Sequence, residues 1–289
     1  MIIGHKDIIE KLNRLISNNE VAHSYIFSGQ DGIGKLLIAK DFAKNILCKD
    51  NEKEQIMFDN NNHPDFKLLI PDEKGTIKIE VIREMIKEIS IKPIVSEHKV
   101  YIIDNADSIT VQAQNALLKT LEEPPSYAVI ILVTSKYNSL LNTIRSRSQK
   151  LDFQRLQKSD IIKYIEANNY TVSLPIDTLI SLADGSIGKL MQVIDNTDTI
   201  QYLIDFVDTI SQKNVLDFNQ FAIYLTDKKE NILNILDYLE IIIFEKNKEL
   251  DVASYISYIE EAKKNIQGNI NFEICIDKMV LGFEEVQNE

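Results

Sequence analysis

Cysteine is scarce in this 289-residue chain: Cys48 and Cys275 are the only two, far apart and without partner spacing. That excludes a disulfide scaffold, argues against a four-sulfur zinc site and points to a reducing compartment. Glycine and proline number only 9 and 6, which with 44% hydrophobic and 26% charged residues excludes collagen and disorder. No apolar run approaches the roughly 20 residues needed to cross a bilayer, and the N-terminus lacks an apolar h-region. The expectation is a soluble cytoplasmic protein with no membrane partner. Internal repeats and low-complexity tracts are also absent.

Basic charge is in deficit as well. Asp and Glu outnumber Lys and Arg by 44 to 32, a net charge of −12, so no whole-molecule basic field exists to grip a nucleic-acid backbone. The deficit is uneven. Residues 201–289 hold 17 acids and 8 bases, a net of −9, while residues 1–200 hold 27 and 24, a net of −3.

What is present is an ordered alternation. Ile8, Ile9, Leu12, Leu15 and Ile16 predict an amphipathic helix over 5–19. Strands are predicted at 24–28, 66–70, 99–103, 128–133 and 149–153, with helices at 35–47, 79–90 and 110–122. Residues 49–65 read as a polar surface excursion. Strands alternating with such helices imply a mostly parallel sheet covered on both faces. Beyond 153 only helical patterns remain, at 159–168, 175–183 and 186–195 and then from 200 to 285. The expected domains are an α/β unit at 1–153, a small helical lid at 154–198 and an all-helical unit at 199–289. Tyr and Phe scattered at helical spacing over 202–258 read as core.

The strongest chemical signal lies between the first strand and its helix, where Gly29, Gly32 and Gly34 precede Lys35. Such a loop turns backbone N–H groups toward a phosphate at a helix N-terminus, and the lysine reaches the outer phosphate oxygens. The next position in the full pattern is Ser or Thr, whose hydroxyl holds Mg²⁺; here it is Leu36. A second signal is Tyr101-Ile102-Ile103-Asp104-Asn105, an apolar strand ending in a carboxylate that would help hold Mg²⁺. Asn105 follows it; an amide can donate to water but cannot take its proton. Gly29, Gly32, Gly34, Lys35 and Asp104 are the candidate nucleotide-binding residues.

Residues 111–125, VQAQNALLKTLEEPP, followed by Thr143-Ile144-Arg145-Ser146-Arg147-Ser148-Gln149, resemble the clamp-loader AAA+ family of bacterial DNA polymerase III, its delta-prime branch above all. His23–Phe27, His63–Phe66 and Gly185–Lys189 match the same pattern. The likeness covers about residues 1–195. It implies an AAA+ P-loop fold with a mostly parallel sheet, then the helical lid and a helical collar for oligomerisation. It further implies a non-hydrolysing clamp-loader subunit of the DNA polymerase III holoenzyme that helps load the sliding clamp on primed DNA. Implied partners are motor subunits of gamma/tau type and the delta subunit, reached through the collar, with the clamp and primed DNA in the complex.

Arg147 falls in the family's Ser-Arg-Cys element, with Ser148 in the cysteine position, and the resemblance makes it an arginine finger acting in trans on a neighbour's ATP. Arg145 is the weaker candidate. Hydrolysing family members carry an arginine where this chain has Gly188; Lys189 beside it would face elsewhere on a helix. With Leu36 and Asn105, three parts of a hydrolytic site are missing, so no cofactor is required, and ATP or ADP would be held without hydrolysis. The family's four-cysteine zinc module is not matched at 48–65, where the chain offers at most Cys48 and His63, before a proline, reads as a loop or capping residue; no zinc is expected. His5, His23 and His98 read as structural. Gln112, Gln114 and Asn115 are open for contact with DNA or a neighbour. The alternative is an ATP-hydrolysing clamp-loader motor subunit or related AAA+ ATPase, which calls for Ser or Thr at 36, Glu at 105 and Arg at 188. A nucleotide-sensing adaptor unrelated to replication is a third reading.

Overall fold

In the computed structural model the described residues are 2–49, 51–170, 173–245 and 251–288. Their packing forms two compact units, one of residues 1–169 with 185–188 and one of 170–184 with 189–289.

The first unit is built on strands β1 (Ser24–Ser28), β2 (Phe66–Leu69), β3 (Lys99–Ile103), β4 (Ala128–Thr134) and β5 (Gln149–Asp152). They form one all-parallel sheet in the order β2-β3-β4-β1-β5. Every residue of β1, β3 and β4 is buried, as near-continuous apolar strands require when helices cover both faces. Alternation then assigns the faces. Tyr25 and Phe27 of β1 pack on one side with Phe42, and Ile26 packs on the other with Met85 and Leu117. Helices α1 (Lys6–Ser17), α2 (Lys35–Cys48), α3 (Glu52–Asp59), α4 (Ile79–Ile89), α5 (Val111–Glu122), α6 (Asn142–Arg145) and α7 (Lys158–Ala167) complete the unit. The expected α/β AAA+ architecture is the observed one.

One expectation needs correction. The polar stretch 49–65 is not all excursion, because it contains α3. Asn51 caps that helix by accepting from the Lys53 amide at 3.2 Å. Phe58, its one fully buried side chain, packs on Phe66 with ring centroids 4.4 Å apart. Its apolar residues, Ile56, Met57 and Phe58, are contiguous and leave almost no periodic signal among the surrounding charges.

The second unit is helical: α8 (Ile176–Ala183), most of α9 (Ile187–Asp195), α10 (Thr197–Asp208), α11 (Val215–Asp227), α12 (Ile232–Glu245), α13 (Val252–Gln267) and α14 (Phe272–Asn288). Phe206 stacks on Phe221 at 3.7 Å, and Phe218, Tyr238 and Tyr255 are buried, so these rings do serve as core. Lys263 ties α13 to α12 through Asp237 at 2.7 Å and Glu240 at 2.8 Å, and also meets Glu260 at 2.8 Å. This grouping cuts across the expected borders at 153 and 198. Helix α7 groups with the sheet unit, whereas α8 packs on α12. Among the described residues no helix is long and apolar enough to cross a membrane.

Candidate functional site

β1 ends at Ser28 and delivers the chain into the glycine loop at the C-terminal edge of the sheet, where parallel α/β folds place their ligands. Gly34, just before α2, has φ 98°; no atom lies within 4 Å of where its Cβ would be, so backbone conformation alone calls for glycine. Lys35 is buried, 5% exposed, and its Nζ donates to the carbonyls of Gly29 at 2.7 Å and Gln30 at 2.6 Å. The next two carbonyls are also engaged: Asp31 accepts from Ser186 Oγ at 2.8 Å, and Gly32 from the Gly188 amide at 2.9 Å. With its carbonyls committed, the loop offers N–H groups and the first turn of α2 as donors for an anion.

Beside the loop is a cleft of about 620 Å³, lined by Lys35, Leu36, Asp104 and Asn105 and walled by apolar residues such as Ile3 and Leu156. That volume suits a small-molecule ligand. Burial pushes the Lys35 ammonium below its ordinary value, opposed by Asp31, Asp104 and Asp107. Burial likewise pushes the Asp104 carboxyl up, opposed by the Asn105 amide and by Lys35. The candidates Gly29, Gly32, Gly34, Lys35 and Asp104 are thus brought to one place.

The residues needed to hydrolyse a nucleotide do not join them. Leu36 lines the cleft and offers no oxygen to a metal ion, so the residues present do not fit the usual Mg²⁺ site. Asn105 is exposed, in a left-handed conformation with φ 47°. Asp107 is turned to β4, accepting from Thr134 Oγ1 at 2.7 Å and from the Ser135 amide at 3.3 Å. Gly188 lies backbone to backbone on Gly32, and a Cβ there would come 2.8 Å from the Gly32 Cα. The arrangement can hold phosphate; it does not assemble a water-activating centre.

Arg147 sits elsewhere. It precedes β5, at the N-terminal edge of the sheet, so the structure does not bring it to Lys35 of the same chain. Its Nη1 donates to the Thr143 carbonyl at 2.9 Å and its Nη2 meets Glu122 Oε1 at 2.8 Å. A cleft of about 510 Å³, lined by His23, Leu121, Glu122, Ser146, Arg147 and Ser148, opens beside it. Ser148, in the cysteine position, is hydrogen-bonded to Ser24 of β1 at 2.7 Å. Arg145 is committed internally, to Asn138, Asn142 and the face of Tyr137.

Gln114 is a correction. Of the three residues expected to be open for contact with DNA or a neighbour, it alone is buried, at 2% exposed. Its amide donates to the carbonyls of Ile109 at 3.1 Å and Ser139 at 3.3 Å and accepts from the Leu141 amide at 2.8 Å. Gln112 and Asn115 are exposed. Sequence reasoning also missed the N-terminal segment: Ile2 and Ile3 line the cleft beside the glycine loop, and His5 Nε2 donates to the Ile33 carbonyl at 2.9 Å. No local signal marks that contact across 28 residues. Ser186 could have been noticed, since it belongs to the matched Gly185–Lys189 element.

Within residues 48–65, His63 is a buried loop residue, its Nδ1 accepting from the Asp65 amide at 3.2 Å. Cys48 is buried, and burial pushes its thiol up to about 11. Among the described residues no group of three His, Cys, Asp or Glu side chains is placed to hold a metal ion.

Residues 4–157, more than half the chain, match the family described as DNA polymerase III, delta subunit. The delta' subunit of Bacillus subtilis DNA polymerase III is 37% identical over 161 residues, 53% of this chain and 49% of that protein. The tau/gamma subunit of Haemophilus influenzae is 31% identical over 207 residues, 68% of this chain but 30% of that protein. The chain therefore spans less than half the length of these relatives. A gamma subunit-related protein from Thermotoga maritima shares the fold, with a TM-score of 0.58 at 18% identity over 96% of this chain and 99% of that one. With a glycine loop, a strand-end carboxylate and a partly exposed Ser-Arg element in one parallel α/β unit, the chain belongs to the DNA polymerase III clamp-loader family.

Proposed function

We propose that this chain is a non-hydrolysing, delta-prime-type subunit of a DNA polymerase III clamp loader that supplies Arg147 to a neighbouring subunit's ATP. In this reading residues 199–289 are the collar that meets gamma/tau-type motor subunits and the delta subunit, and the complex loads a sliding clamp on primed DNA. One contrast carries it. The chain's own cleft keeps phosphate-binding chemistry but has Leu36, Asn105 and the tightly packed Gly188 at the hydrolytic positions, while Arg147 faces an open cleft at the other edge of the sheet. ATP or ADP would rest on Lys35 and the loop amides without turnover. A guanidinium fixed at a neighbour's phosphates stabilises the charge of the transferring phosphoryl group.

The test is reconstitution with motor and delta subunits, clamp and primed DNA, with DNA-stimulated ATP turnover as the readout. Arg147→Ala is expected to lower turnover at least about tenfold, a floor well below the ~10³–10⁵ an arginine finger can supply, and Lys35→Ala to change it less than about twofold. Robust ATP hydrolysis by the isolated chain would overturn the proposal. It would favour the second reading, a motor subunit, which the likeness to the tau/gamma protein supports.

A further inference from the structure

Helix α5 ends at Glu122, whose carboxylate is held 2.8 Å from Arg147 Nη2. The pair is only partly covered, with 34% of the arginine side chain and 49% of the glutamate exposed. A pair so open to water adds little to stability, so its consequence is geometric. Arginine is long and loses much rotamer freedom when fixed at a phosphate. Here Thr143 holds Nη1 and Glu122 holds Nη2, so both terminal nitrogens are already placed. A guanidinium has five N–H donors, and donors therefore remain for an incoming anion. The Ser148–Ser24 hydrogen bond fixes the segment just beyond it to β1.

We propose that Glu122 is a positioning residue for Arg147, holding the guanidinium in the orientation in which it meets the triphosphate of a neighbouring subunit. This rests on the arginine-finger reading. Glu122 acts only through Arg147, because a carboxylate gains nothing from facing phosphate directly. The ordering cost falls on the isolated chain, ahead of assembly, which is how preorganisation raises the rate of a step that needs a fixed charge.

The experiment measures ATP turnover by the reconstituted complex, separating kcat from KM, for Glu122→Ala, Glu122→Gln, Arg147→Ala and the double variant Glu122→Ala/Arg147→Ala. Glu122→Ala is expected to lower kcat about three- to tenfold with KM for ATP unchanged, the pattern of a contact made only in the transition state. Glu122→Gln keeps an acceptor oxygen and recovers most of the loss. In the Arg147→Ala background Glu122→Ala changes nothing further, as a residue acting through another must. If Arg147→Ala is slow but Glu122→Ala is neutral or faster, the positioning role is overturned and the finger stands. If Arg147→Ala itself is neutral, the finger reading falls and the inference with it.

Discussion

The Gly188 amide donates to the Gly32 carbonyl at 2.9 Å, and a Cβ on either residue would lie within 2.8 Å of the other's Cα. Two glycines far apart in the chain thus form one backbone contact at the glycine loop. A side chain at 188 has no room there. Gly188→Arg is expected to leave the isolated chain without ATP turnover. Both Gly188→Arg and Gly188→Ala should lower stability by about 1–3 kcal/mol through overpacking, read as a reduced urea midpoint.

Asp65 makes a different kind of joint. It is 1% exposed, and its carboxylate accepts from the amides of Ile94, Val95 and Ser96 at 2.7, 2.8 and 2.9 Å. Asp65→Ala strands three donors in the loop before β3 and is expected to cost about 2–4 kcal/mol in chemical denaturation. Asp65→Asn, which keeps one acceptor oxygen, should cost less.

Acid should weaken the first unit through its histidines. Burial holds His63 below its ordinary value of 6.5, against the pull of Asp65 and Glu54. His5 is held down in the same way, against the Ile33 carbonyl and Asp160. Between the lowered folded value and 6.5 the unfolded chain binds more protons than the folded one. Stability is therefore full above that window and declines as pH falls through it. Thermal unfolding from pH 7.5 down to 5.5 should show a falling midpoint, and His63→Asn, which keeps an acceptor for the Asp65 amide, should flatten the slope.

In the second unit, Lys263 is 16% exposed among Asp237, Glu240 and Glu260. Burial pushes the Glu240 carboxyl up, with Glu260 adding to the effect and Lys263 opposing it. Lys263→Met removes the shared cation and leaves three carboxylates facing one another. The expected loss is about 1–3 kcal/mol, smaller than for a fully buried pair because water screens part of the cluster. Urea unfolding at neutral pH checks it.

The fold was legible where burial made a pattern. β1, β3 and β4 are buried along their whole length around apolar runs such as Val100–Ile103 and Val129–Val133, and α1 carries its stripe from Ile8 to Ile16, so hydrophobic patterning found them. The glycine loop was legible because its residues are contiguous. Helix α3 was hidden because its apolar residues, Ile56, Met57 and Phe58, are contiguous and so make no helical period. Gln114 misled because a polar side chain on a helix is read as exposed, whereas it satisfies the ends of two loops in the interior. Contacts such as His5 with Ile33, Ser186 with Asp31 and Glu122 with Arg147 join residues that chain separation keeps apart, and only folding reveals them.

Central strand β1 has one more consequence. Its N-terminal residue Ser24 bonds Ser148, next to Arg147, and its C-terminal end opens into the glycine loop. From His23, beside the arginine, to Gly29 is six extended residues, roughly 20 Å at strand spacing. β1 is buried and hydrogen-bonded on both sides, to β4 and β5, so this span cannot stretch or slip. The strand is a ruler: it sets how far apart the fold keeps the glycine-loop cleft and the Arg147 guanidinium.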